Sequence, residues 1–194
     1  MSQLTMEEFF DSKSASWDEG EVTSTEQRRE FLSFLDIKKG EAVLDLACGT
    51  GVITPLLEEK SHSKVIGLDL SSKMIEIAKS KFNSNPNLDF KSGDFLKSDL
   101  KGFDWIIIYN AYPHFLDRVA FKKKALSALN EGGKLAILHS LSRQELATAH
   151  AGQAHPYSRD LENPLNEGNI FLPEMKILLS DEGEHSFRLI LQKR

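Results

Sequence analysis

From about residue 24 onward, short apolar runs of strand length alternate with stretches whose apolar residues recur every three or four positions. That alternation limits the chain to repeated strand-helix units, which feed a parallel sheet flanked by helices. Residues 41–46 (EAVLDL) run into a turn at 47–51 (ACGTG), and Val52, Ile53, Leu56 and Leu57 then fall on one helical stripe. Residues 64–69 (KVIGLD) repeat the scheme, with Ser71 placed as an N-cap and Met74, Ile75, Ala78 and Phe82 lining the next helix. A shorter strand is expected over 88–91, ahead of Ser92, Gly93 and Asp94. Residues 103–110 (FDWIIIYN) form the most hydrophobic run, which suits a mid-sheet strand covered on both faces.

The remaining elements follow from local signals. Ser24 with Gln27, and Ser142 with Glu145, match capping boxes that open helices over 24–35 and from 142 onward. A helix over 117–130 is expected to close at Gly132 and Gly133, before a strand at 134–139. Residues 151–172 are polar, hold two prolines and show no sustained period, so they read as a lid or substrate loop. Residues 173–182 look helical, although 175–180 would equally make a strand paired with a last one at 186–192. The expected fold is one doubly wound α/β domain with a mostly parallel, Rossmann-like sheet. Residues 1–38 would form an N-terminal helical lid segment, 39–141 a ligand-binding core, and 142–194 a substrate or lid segment with the terminal strand.

Composition narrows the function classes. A chain of 194 residues with 40% apolar content has material for one core. It has no run of eighteen apolar residues, and its first twenty are acidic without an apolar stretch, so neither membrane insertion nor export is expected. The single cysteine, Cys48, suits a reducing compartment, and a cytoplasmic location is the expectation. A net charge of -5 offers no general attraction to nucleic acid or to anionic membranes, and the clusters Lys122 to Lys124 and Lys193 with Arg194 read as solvated surface. Nothing in the sequence sets the oligomeric state.

In open parallel sheets ligands bind beyond the carboxyl ends of the strands, where the unusual residues of this chain fall. Gly49 and Gly51 permit a sharp turn and close backbone approach, although an ordinary tight turn would use them too. Asp69 ends the second strand, where a carboxylate can accept both hydroxyls of a ribose; the plainer alternative is a cap for the next helix. Asp94 could accept an adenine amine or simply stabilise its turn. The third glycine of a dinucleotide fingerprint is replaced by Thr54, and no phosphate-cradling G-x-x-x-x-G-K-S/T exists. Asp45 beside the turn would repel a pyrophosphate and suit an ammonium group. These residues together call for an adenosine with a cationic tail.

At residues 43–51 (VLDLACGTG), 67–74 (GLDLSSKM) and 92–95 (SGDF), with Phe103-Asp104, Tyr109-Asn110 and 132–135 (GGKL) further on, the chain resembles the class I S-adenosylmethionine-dependent methyltransferases over roughly 40–140. It is most similar to small-molecule members of the ubiquinone and menaquinone biosynthesis type. The resemblance implies S-adenosylmethionine as cofactor, with Gly49 and Gly51 at its methionine part, Asp69 on the ribose, Asp94 on the adenine amine, and Met74 and Phe95 on the adenine faces. It also implies that Trp17, Asp45, Ala47, Leu70, Gly93 and Asn110 line the cofactor. Phe9, Phe10, Trp17 and Asp18 resemble the family's preceding segment, which closes over the cofactor. Ala47 stands where many relatives carry glycine, and Cys48 reads as a small filler without a nearby base.

The acceptor is less legible. Residues 110–115 (NAYPHF) hold the Asn and Pro of the amino-methylating Asn/Asp-Pro-Pro-Tyr/Phe motif in the wrong frame, so that specificity does not carry over. His114, His139, His150 and His155 cluster between 114 and 155. His139 or His114 could act as a base, with Tyr112, Arg143 and Tyr157 completing an anionic-substrate pocket. Their spacings match no strong metal motif, so no metal is expected, and His62 and His185 read as solvated. The expected function is methyl transfer to a small molecule. The alternatives are a catalytically idle cofactor-binding module and a protein or RNA methyltransferase, the last expected to carry a basic stripe that this chain lacks.

Overall fold

A computed structural model describes residues 4–20, 23–150 and 155–194, with the side chains of 149, 150 and 155 outside the description. The described elements are α1 (Met6–Lys13), α2 (Thr25–Phe31), β1 (Val43–Leu46), α3 (Thr54–Ser61), β2 (Val65–Asp69), α4 (Ser72–Lys81), β3 (Leu88–Ser92), β4 (Phe103–Tyr109), α5 (Arg118–Ala128), β5 (Leu129–His139), α6 (Arg143–His150), α7 (Pro164–Asn169), β6 (Met175–Gly183) and β7 (Ser186–Lys193). Among the described residues seven strands form a mostly parallel sheet in the order β3-β2-β1-β4-β5-β7-β6, with β4 fourth of seven as its apolar run predicts. Packing density divides the chain into two compact units, Met1–Ser98 and Asp99–Arg194. Among the described residues no helix is long and apolar enough to cross a membrane.

In the first unit β1, β2 and β3 are parallel. Leu46 pairs with Leu68, and Asp69 pairs with Ser92, so the three carboxyl ends form one rim. Backbone bonds tie the rim together: the Cys48 N–H donates to the Leu68 carbonyl at 3.1 Å, and the Gly93 N–H to that of Asp69 at 2.8 Å. All four residues of β1 are buried, as a strand covered on both faces requires. Ser24 and Gln27 form the expected capping box on α2. Ser71 caps α4 by accepting the Met74 N–H. Cys48, Ile75, Ala78 and Phe90 form a buried cluster, against which Phe82 and Leu88 pack.

In the second unit β4 and β5 are parallel, β7 runs antiparallel to β5, and β6 antiparallel to β7. Three expectations need correction here. The helix expected to close at Gly132 ends at Ala128, and β5 begins at once at Leu129, which pairs with Phe103. Trp105 then pairs with Lys134, so residues 130–133 bulge opposite Asp104. Gly132 turns the chain at φ 74°, and a Cβ on Gly133 would lie 2.9 Å from the Asn130 carbonyl oxygen. Residues 173–182 are not helical, because β7 recruits 175–183 as its outer partner. The supposed loop 151–172 contains α7, capped by Asn163 with Pro164 at its start; residues 151–154 lie outside the described residues.

Candidate cofactor-binding site

The rim of the first unit is built by backbone geometry. Three residues of the turn after β1 lie in the left-handed region, Ala47 at φ 57°, Gly49 at 54° and Gly51 at 80°. A glycine is free there and an alanine is not, so the Ala47 methyl group sits in a strained backbone region. A Cβ on Gly51 would come within 2.9 Å of the Phe90 ring, so the turn also rests directly on β3. A Cβ on Gly93 would meet nothing within 4 Å, which leaves the backbone open at the third strand's exit.

Two carboxylates stand on this rim. Asp69 Oδ2 accepts the Gly49 N–H at 2.7 Å, and Oδ1 accepts the Ser71 N–H at 2.8 Å. Both of its oxygens therefore brace adjoining turns and keep further lone pairs for a ligand. Burial raises the Asp69 carboxyl above its ordinary range, and the Asp11 charge adds to this. Asp45 is 1% exposed, and its Oδ2 accepts the Thr54 hydroxyl at 2.6 Å. Burial pushes it up to about 7, with the Asp69 charge adding to the shift. Both acids are held by hydroxyl and backbone donors instead of cations, so the rim favours positive charge.

The other expected cofactor residues are placed as follows. Asp94 Oδ1 accepts the Leu96 N–H at 2.9 Å and Oδ2 lies 3.4 Å from Lys97 Nζ, so its turn-stabilising role is realised. Leu70 is half-buried. Met74 and Phe95 are 2% and 3% exposed, packed as core side chains that could offer a ligand only an edge. Cys48 is buried, and burial pushes its thiol well up, which suits a filler and not a nucleophile. Trp17 is exposed, with its indole Nε1 3.8 Å from where a Cβ on Gly49 would stand. Sequence reasoning missed Thr54, Asp11, Thr50 and Lys81; the hydroxyl and charge signals were present, but their partners lie 9 to 63 residues away.

The expected cofactor residue Asn110 and the acceptor candidates belong to the second unit. Asn110, at φ 57°, exchanges hydrogen bonds with Ser140: its Oδ1 accepts the Ser140 N–H at 2.9 Å and its Nδ2 donates to the Ser140 hydroxyl at 3.0 Å. His139 is fully buried and edge-on to Phe187. Tyr112 is also fully buried, lies beneath the Arg159 guanidinium at 4.9 Å, and has its hydroxyl pushed up by burial, then by the Glu167 charge. It is therefore un-ionised near neutral pH. His114 is half-buried, and its Nδ1–H donates to the Tyr157 carbonyl at 2.8 Å, which orients the ring.

Arg143 is committed to Glu182, with Nε at 2.8 and 3.0 Å from the two carboxylate oxygens. Arg159 is committed to the buried Glu167 at 2.8 and 3.1 Å. A groove of about 460 Å³ is lined by Arg143 together with Asp160, Glu182 and Glu184, and Tyr112 and Tyr157 are not among its lining residues. His185 is exposed but paired with Glu145 at 2.7 Å. Lys122 pairs with Glu174 at 2.7 Å and Lys193 with Glu131 at 2.8 Å, so neither basic cluster is a free patch. The His150 and His155 side chains lie outside the described residues, among which no three His, Cys, Asp or Glu could jointly hold a metal ion.

Comparison with known proteins agrees with this geometry. Residues 43–133 match the family model described as a methyltransferase domain. The demethylmenaquinone methyltransferase of Thermotoga maritima is 33% identical over 125 residues, covering 60% of this chain and 51% of that protein. The chain thus spans about half the length of the curated relatives it matches. A chain from the complex between the Haloferax volcanii Trm112 methyltransferase activator and its candidate methyltransferase superposes with a TM-score of 0.76 at 17% identity, covering 99% of both chains. An S-adenosylmethionine-dependent methyltransferase from Aquifex aeolicus superposes at 0.70 with 19% identity, covering 95% of this chain and 98% of that one. Residues 43–133, which hold the glycine turn and both rim carboxylates on a sheet of this order, thus match a methyltransferase domain.

Proposed function

We propose that the protein transfers a methyl group from S-adenosylmethionine to a small-molecule acceptor. The observation that carries this reading is the pair Asp45, buried, and Asp69, half-buried, on a glycine rim where among the described residues hydroxyl and backbone donors hold them. The residues fit the cofactor. Asp69 keeps lone pairs for two ribose hydroxyls, Gly93 leaves open backbone where Asp94 can reach an amine, and Asp45 gains from an ammonium group the positive charge its surroundings lack. When bound, S-adenosylmethionine supplies a methyl group on a positively charged sulfur, open to in-line displacement.

For this chemistry the chain's main task is alignment, because holding the acceptor in line with the sulfur supplies most of the rate. A base is required only for an acceptor that carries a proton. Of the proposed catalytic set His139, His114 and Tyr112, we assign that work to His114, which is half-buried and whose ring is oriented by the Tyr157 carbonyl. Tyr112 and His139 then act as packed supports.

The Thermotoga relative's name points to a quinone-type acceptor. The Haloferax neighbour, taken from a complex with an activator, supports a second reading in which the acceptor is a protein or RNA and a partner chain is needed. Radiolabelled methyl transfer against a naphthoquinol, a peptide pool and transfer RNA separates them. The account expects label in the naphthoquinol alone, and loss of that label to about 1% or less in Asp69→Ala. Label in peptide or RNA would replace the acceptor class, and full activity of Asp69→Ala would remove the ribose contact.

A further inference from the structure

The N-terminal segment grips the first unit at two places. Near the start of α4, Asp11 Oδ1 accepts the Ser71 hydroxyl and, at 3.2 Å, the Lys73 N–H. Beyond α1, Asp18 reaches the glycine turn itself. The Thr50 hydroxyl donates to Asp18 Oδ1 at 2.6 Å, and Lys81 Nζ donates to Asp18 Oδ2 at 3.0 Å and to Thr50 Oγ1 at 3.3 Å. Three side chains from three elements thus close one ring of hydrogen bonds. Thr50 is 1% exposed and lies between Gly49 and Gly51, so the ring clamps the turn that carries both glycines.

The geometry points to Asp18 as a positioning residue: with Thr50 and Lys81 it forms a latch that fixes the glycine turn and holds Trp17 over Gly49. This rests on the rim being the S-adenosylmethionine site, and it adds a specific holder for that site's most strained element. Trp17 is joined directly to Asp18, lies against Gly49, and is backed edge-on by Phe10 at a ring separation of 6.0 Å. The Asp11 anchor sits at the opposite end of α4, a helix of ten residues and so about 15 Å long. Loss of the latch therefore frees Trp17 and the turn while Asp11 keeps α1 docked. The Asp18 and Lys81 side chains are 41% and 33% exposed, so their ion pair is partly screened and contributes more to placement than to global stability. Binding a ligand to a turn that is already ordered avoids the ordering cost, which is how the latch acts on affinity.

The test uses the full chain with Asp18→Ala and Lys81→Met. Acrylamide quenching of tryptophan emission reports on Trp17, because Trp105 is 2% exposed. Both variants are expected to at least double the quenching constant in the ligand-free protein while the melting temperature moves by no more than about 2 °C. Calorimetric affinity for S-adenosylhomocysteine is expected to fall about five- to tenfold, and Lys81→Arg to restore both readouts. Unchanged quenching in Asp18→Ala overturns the latch, and raised quenching with unchanged affinity overturns its positioning role. A parent chain that binds no S-adenosylhomocysteine overturns the cofactor reading and the positioning role with it, and the quenching comparison then shows separately whether the latch exists.

Discussion

Asp45 is buried deeply enough that its charge is a cost to the ligand-free fold. Its carboxyl sits near 7 in the folded chain, against 3.8 as its ordinary value. Between those values the folded state binds a proton that the unfolded state has released, so stability from this group falls as pH rises from about 4 to 7 and levels off above that. Asp45→Asn keeps an acceptor for the Thr54 hydroxyl and removes the charge. It is expected to melt higher than the parent at pH 8, by up to about 4 kcal/mol, with the gap closing toward pH 4. Equal melting at both pH values would show that Asp45 is not buried as described. Ala47, at φ 57°, carries the opposite kind of strain, a methyl group in a region suited to glycine. Ala47→Gly should stabilise by about 0.5–1 kcal/mol, seen as a rise of about 1–4 °C in melting temperature. A fall would mean that the turn does not hold residue 47 in the left-handed region.

Among the elements, β2, β3 and the glycine turn pack in close contact. A Cβ on Gly67 would come 2.7 Å from Phe90 Cδ1 and 3.1 Å from Cys48 Sγ. Gly67→Ala is therefore expected to cost about 1–3 kcal/mol in denaturant unfolding, and less when combined with Phe90→Leu, because the smaller side chain yields. Strict additivity of the two changes would place the Phe90 ring elsewhere. Elements whose signals are local were legible from sequence: the Ser24–Gln27 and Ser142–Glu145 boxes each close over three residues, and both are present. Elements decided by a distant partner were not. Residues 175–183 read as helix or strand until β7 chooses, and β5 extends to Leu129 because Phe103 pairs there. The six residues of α7 are too few to show a period, though Asn163 followed by Pro164 is a cap signal that could have revealed them.

Across the whole molecule, the strand-helix alternation and the glycine turn follow from residues contiguous in sequence, so the fold class was readable before any coordinates. Asp69 and Ser71 illustrate this: two residues apart, they supply the carboxylate and the cap, and both do so. The acceptor side was not readable, since His139 and Tyr112 look reactive in sequence but are fully buried, while Arg143 and Arg159 are spent on Glu182 and Glu167. Arg143 and Arg159 meet those partners 39 and 8 residues along the chain. The central claim is that the rim selects an adenosine with a positively charged tail and refuses a pyrophosphate. Isothermal titration of the full chain with S-adenosylmethionine, S-adenosylhomocysteine, NAD and ATP tests it directly. The account predicts saturable binding of the first two with about one site per chain and no heat from the others; binding of NAD or ATP, or silence from all four, would contradict it.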